Sequence, residues 1–211
     1  MKSFSQGKFY LGVNGGYTAA TADLFHSVNG YFWESGFVGG FQGGVVGMHF
    51  FREHIGFQSG VQFVQKGWKQ KFDVFAPDHH TYLDYIEVPL LAHLYTGKGR
   101  LHFFVNGGIY FEYMVNSKVD PVPEETGGYD FYLFDENRDQ KYGYGYKVGG
   151  GVYFDFRFGT IMLEGSGSYS LSNVFNYDQF STGIPNLSNK INVAGTIGYL
   201  VTFGAFENKE N

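Results

Sequence analysis

The chain has no cysteine. That excludes a disulfide framework, a thiol nucleophile and cysteine-ligated zinc. Proline is scarce, with 5 in 211 residues. No apolar run approaches the roughly 20 residues that a membrane helix needs. There is also no excess of positive charge: the formal net charge is −5. A chain without a basic footprint is not read as a nucleic-acid binder. The opening Met1-Lys2-Ser3-Phe4-Ser5-Gln6-Gly7 carries none of the apolar stretch of a leader peptide, so an exported chain would be the mature form. The mean hydropathy of −0.21 does not exclude a membrane protein. A transmembrane strand shows lipid only every second residue, so its average stays modest.

Glycine and aromatics are abundant, with 32 Gly, 24 Phe and 17 Tyr. Both disfavour helix interiors, and aromatics favour strands, which points to an all-β chain. Period-two alternation confirms the choice of element. From Leu101 to Val115 the odd positions are Leu, Phe, Val, Gly, Ile, Phe, Tyr and Val, and the even ones are mostly polar or small. A run of about 15 residues is long for a soluble domain, where about 5–6 is usual. Similar runs predict strands near 8–18, 36–51, 55–66, 81–95, 101–117, 142–156, 160–171 and 190–203. The Gly-Gly pairs at 39–40 and 43–44 suggest a slip of phase in the second strand, and Pro89 cannot donate to a ladder in the fourth.

Short connections at 52–54, 96–100 and 157–159 alternate with long ones at 19–35, 67–80, 118–141 and 172–189. An up-and-down barrel then carries all its long loops at one end, which is the asymmetry of outer-membrane barrels. The expected fold is a single domain over 1–211, an eight-stranded antiparallel transmembrane β-barrel in the bacterial outer membrane. A soluble lipocalin-like barrel is the rival. It would put its apolar face inside and Lys and Glu outside, and these strands lack that charged outer face. Aromatics near strand ends, among them Phe50, Phe51, Trp68, Tyr85, Phe103, Tyr113, Tyr142, Phe156 and Phe203, are expected to form interfacial girdles.

The polar phase supplies the candidate site. Gln58, Gln62, Glu87, Asn106, Glu112, Lys147, Asp155 and Glu164 are expected to form a polar network in the lumen, with Lys147 as its cation. Paired carboxylates can do acid–base work or hold a cation. A narrow eight-stranded lumen is more often simply filled by such side chains. No catalytic residue, metal ligand or cofactor is assigned. Asp135-Glu136-Asn137-Arg138-Asp139 has a calcium-loop rhythm but lacks the glycine and terminal glutamate of that loop. Asp78-His79-His80 has side chains that can bind a metal, but it reads better as a surface loop tip. An acyl-modifying barrel enzyme would need a nucleophile–base set near a rim. His93 and His102 flank the turn at 96–100 without a suitably spaced serine.

The stretch Leu83-Asp84-Tyr85-Ile86-Glu87-Val88-Pro89-Leu90-Leu91-Ala92 resembles a strand of the PorT-like outer-membrane β-barrel family of Bacteroidetes. Phe103-Phe104-Val105-Asn106-Gly107-Gly108-Ile109-Tyr110-Phe111 is similar to that family's next, glycine-rich strand. Gly56-Phe57-Gln58-Ser59-Gly60-Val61-Gln62-Phe63-Val64-Gln65-Lys66-Gly67 is similar to an earlier one. The resemblance implies an eight-stranded barrel without an assigned activity. Its expected partners are the outer-membrane bilayer and an envelope protein, as for an accessory subunit of an envelope or secretion complex. An enzyme, or a barrel that binds a small ligand or lipid, is the alternative.

Overall fold

Strands rich in aromatic and β-branched residues pair with their sequence neighbours because short turns bring them together first. The structure, a computed structural model, describes residues 8–26, 31–33, 35–70, 79–120, 139–174 and 187–203. Its strands are β1 (Lys8–His26), β2 (Tyr31–Trp33), β3 (Ser35–Gly36), β4 (Val38–Arg52), β5 (Ile55–Gln70), β6 (His79–Lys98), β7 (Leu101–Asp120), β8 (Tyr142–Phe156), β9 (Gly159–Ser170) and β10 (Leu187–Phe203). Eight of them form the wall, each antiparallel to the next, and β10 closes on β1 from Phe9↔Phe203 to Phe25↔Leu187. The short β2 and β3 add to β1 and β5 at the rim. Closure leaves no sheet edge for lipid to meet, which is what the bilayer interior demands.

The tight turns at 53–54, 99–100 and 157–158 lie at the same end as the chain's first and last strand residues. Several strands exceed the expected bounds. β1 runs eight residues past 18, and β6 and β7 reach 20 residues each. A transmembrane strand needs about 9–11. The wall therefore projects beyond the bilayer on the long-loop side. The remainder of those loops, 27–30, 34, 71–78, 121–138 and 175–186, lies outside the described residues.

The glycine pairs of β4 do not break its phase: it pairs with β1 without interruption from Phe50 to Val38. The irregularity falls at Phe50/Arg52 beside the turn. Pro89 has a local effect, since β6 keeps its pairing with β7 there but has no partner on β5 for Val88 and Pro89.

The wall is apolar outside and polar within. Leu101, Phe103, Val105, Ile109, Phe111, Tyr113 and Val115 are exposed, whereas Asn106 and Glu112 are buried. Only lipid can cover such an outer face without cost. On the loop side this band ends at an outward polar trio, in which Gln65 and Asn116 donate to Asp84 at 2.9 and 3.0 Å. Aromatic pairs such as Tyr113–Tyr142 and Phe41–Phe63 mark the outer girdle. Phe50, Trp68 and Tyr85 do not belong to it. They point inward and are fully buried, because their parity places them on the lumen side.

Candidate functional site

The lumen is a stack of three layers. Next to the tight turns, Tyr10, Val46, Met48, Phe50, Phe104, Tyr153, Met162 and Leu200 form an apolar cluster. Near the loops, Ala22, Leu24, Trp68, Leu83, Tyr85, Met114 and Val174 form a second one. The charged side chains lie between them.

Lys66 is the hub of the middle layer. Its Nζ lies 2.7 Å from Glu87 Oε2 and 2.8 Å from Glu112 Oε2, with all three side chains fully buried. The other oxygen of Glu87 receives Lys147 at 2.7 Å, and that of Glu112 lies 2.6 Å from Lys190. The result is a ladder, Lys147–Glu87–Lys66–Glu112–Lys190, drawn from five strands. Tyr85 accepts a hydrogen bond from Lys190 at 2.9 Å. The ring of Tyr110 lies 4.4 Å from the Lys66 ammonium and that of Tyr85 lies 4.1 Å from Lys190. Both are cation–π distances.

Below the ladder a hydrogen-bonded relay leads toward the turns. Asn106 donates to Glu164 at 2.9 Å and to Gln58 at 3.1 Å. Gln58 Oε1 also faces His93 Nδ1 at 2.9 Å. A carboxamide oxygen only accepts, so His93 carries its proton on Nδ1 and its Nε2 accepts from the Tyr153 hydroxyl. Gln62 touches the ladder through Lys147 at 3.5 Å.

Seven of the eight sequence-selected residues therefore meet in the middle of the lumen. Asp155 does not. It sits at the tight-turn rim, 29% exposed, beside His102 at 3.3 Å and accepting from Thr160. Parity put it on the inner face but says nothing of height along the axis. Lys147 is also not the lone cation. Lys66 and Lys190 are buried with it, so the strand lumen holds three lysines against three glutamates, Glu87, Glu112 and Glu164. Their signal was in the alternation: Lys66 shares the phase of Gln58 and Gln62, and Lys190 that of Asn192. Both stand at the ends of the strands that the alternation predicts, where the phase has few neighbours to define it.

A buried charge is tolerated only when paired and hydrogen-bonded, so the ladder holds as a set. It is also tightly enclosed: Lys66, Tyr85, Tyr110, Trp68, Phe50, Met48 and Met162 are each less than 2% exposed. His93 has both ring nitrogens occupied and is stacked on Phe104 at 4.9 Å. Among the described residues no cluster of three or more His, Asp or Glu side chains suits a metal ion. Residues 135–138 and Asp78 lie outside the described residues.

Residues 4–176 match the family described as outer membrane protein beta-barrel domain. Among solved structures, the chain is similar to the outer membrane protein OprG from Pseudomonas aeruginosa, at 11% identity and a TM-score of 0.58, covering 95% of this chain and 98% of that one. It is also similar to the outer membrane protein AlkL, at 12% identity and a TM-score of 0.51, covering 97% and 95%. At such identities the likeness is one of fold. No curated protein matches the chain.

Proposed function

The chain belongs to the family of outer membrane protein beta-barrel domains, and from that premise we propose that it is a non-conducting barrel of the structural or interaction type. It sits in the bacterial outer membrane. The observation that carries the reading is the lumen, which is closed by an ion-pair ladder between two apolar clusters. Such an interior leaves function to the surfaces. The strands that project past the outer girdle, braced by the Trp68–Leu83–Val174 cluster, form a platform for an envelope partner. An accessory subunit of an envelope or secretion complex fits this form. The Leu83–Ala92 and Phe103–Phe111 motifs support a place in the PorT-like branch of Bacteroidetes. Enzymatic acyl transfer is not favoured, since His93 already spends both ring nitrogens on Gln58 and Tyr153.

The test is conductance. Purified protein added to a planar lipid bilayer should insert without stable current steps. Reproducible ohmic steps from the native barrel would show an open lumen and sink the reading.

A further inference from the structure

Arginine is rare in this chain, and its placement is uneven. Of the four arginines, Arg52, Arg100 and Arg157 stand one in each tight turn or at its edge. The remaining sector of that rim, where β10 meets β1, carries Lys8. Each tight turn around the circumference thus carries an arginine. Arg52, Arg100 and Arg157 are exposed, and none of them forms an ion pair among the described residues. Among the described residues the acids at this rim are Glu53 and Asp155, and Asp155 is already held by His102 and Thr160.

The ring is fixed rather than loose. Each turn is tied to a neighbouring strand. The Tyr95 amide donates to the His54 carbonyl at 3.1 Å and the Asp155 amide to the Arg100 carbonyl at 2.8 Å. The Tyr199 hydroxyl donates to the Phe158 carbonyl at 2.7 Å. Just inside the ring stands a belt of outward phenylalanines, Phe51, Phe103, Phe154, Phe156, Phe158 and Phe203, all exposed on the lipid face. An aromatic belt of this kind lies at the boundary between acyl chains and headgroups. The cations beside it are therefore at the depth of lipid phosphates. The loop side differs: there Lys118 and Asp120 pair with each other at 3.8 Å, and Asp84 is engaged by Gln65 and Asn116.

We propose that this rim binds anionic phospholipid headgroups, with Arg52, Arg100 and Arg157 as the phosphate ligands. Guanidinium groups bond phosphate oxygens bidentately, and an anionic surface attracts basic side chains near it. Short turns face the periplasm in outer-membrane barrels, so the lipid concerned is that of the inner leaflet. The ring would hold the barrel at a set depth and gather anionic lipid around its base.

The test uses the full chain reconstituted in phosphatidylcholine vesicles containing trace spin-labelled phosphatidylglycerol or spin-labelled phosphatidylcholine. The motionally restricted fraction of each label reports its association with the barrel. The native protein should prefer the anionic label by about fivefold, the effect of one well-placed basic contact. The triple variant R52Q/R100Q/R157Q should lose most of that preference, and K118Q at the loop side should keep it. Heat-modifiable gel migration verifies that each variant is folded. If the triple variant does not fold, the three single variants replace it, each expected to lose part of the preference. Equal association of both labels with the native barrel overturns the proposal and leaves the rim to an acidic protein partner. A preference that survives in the folded variants overturns it as well.

Discussion

In the middle of its length the lumen is held by Lys66, Glu87, Glu112, Lys147 and Lys190. Toward the tight turns it is held by rings, with Phe104 stacked on Tyr153 at 4.5 Å and on His93 at 4.9 Å. Both layers solve one problem, a lumen with room for side chains and little else. They solve it with different consequences. Ring packing is a sum of local contacts, so its losses stay local. The ladder is a sum of mutual neutralisations, so one missing member unbalances the charge of the partners on either side of it.

The largest expected effect is at the hub. Lys66→Met takes one of its two cations from both Glu87 and Glu112 and should cost about 3–5 kcal/mol of unfolding free energy in liposomes. Adding Glu112→Gln should then cost less than the two separate losses would sum to. Strict additivity would show that the ladder members do not act together. Next comes Phe104→Ala, which opens a cavity against Tyr153 and His93 and should cost about 3 kcal/mol. Combined with Lys66→Met it should be additive within about 0.5 kcal/mol, because Phe104 and Lys66 share no partner. Lys147→Met is smaller, about 1–3 kcal/mol, since Glu87 retains Lys66. A loss equal to that of Lys66→Met would remove the hub from the ladder.

The smallest effect separates the two faces of the wall. A Cβ at the inward Gly44 would overlap the backbone of Val61, whereas one at the outward Gly167 meets nothing within 4 Å. Gly167→Ala should therefore change stability by less than about 0.5 kcal/mol, while Gly44→Ala should impair folding. Equal tolerance at both positions would contradict the narrowness of the lumen.

The residue sequence made the faces legible but not the heights. Odd and even positions of β7 separate lipid from lumen because the side-chain period is two. Parity also holds Lys66 and Lys190, had it been carried to the strand ends. It cannot rank residues along the axis, because height depends on how neighbouring strands are staggered. Asp155 therefore joined the polar set although it stands at the rim. For the same reason the sorting of inner residues into apolar, charged and aromatic layers was hidden. Met48, Phe50, Phe104, Met162 and Leu200 share a phase with polar residues, and only the register brings them together. The extra length of β1 has no signal in the alternation, because Thr18–Ala22 is rich in alanine, a poor strand former. Pairing with β10 holds that segment in the sheet, and β4 joins it as far as Ala20.

The most direct measurement exploits the absence of native cysteine. Single cysteines placed in turn at Phe103, Val105, Asn106, Ile109, Phe111 and Glu112 can be spin-labelled without background and read in liposomes by collision with oxygen and with a water-soluble nickel chelate. Labels at 103, 105, 109 and 111 should collide freely with oxygen and little with nickel, while labels at 106 and 112 should be shielded from both. Odd positions shielded and even positions open to nickel would contradict a lipid-facing apolar wall around a filled polar lumen.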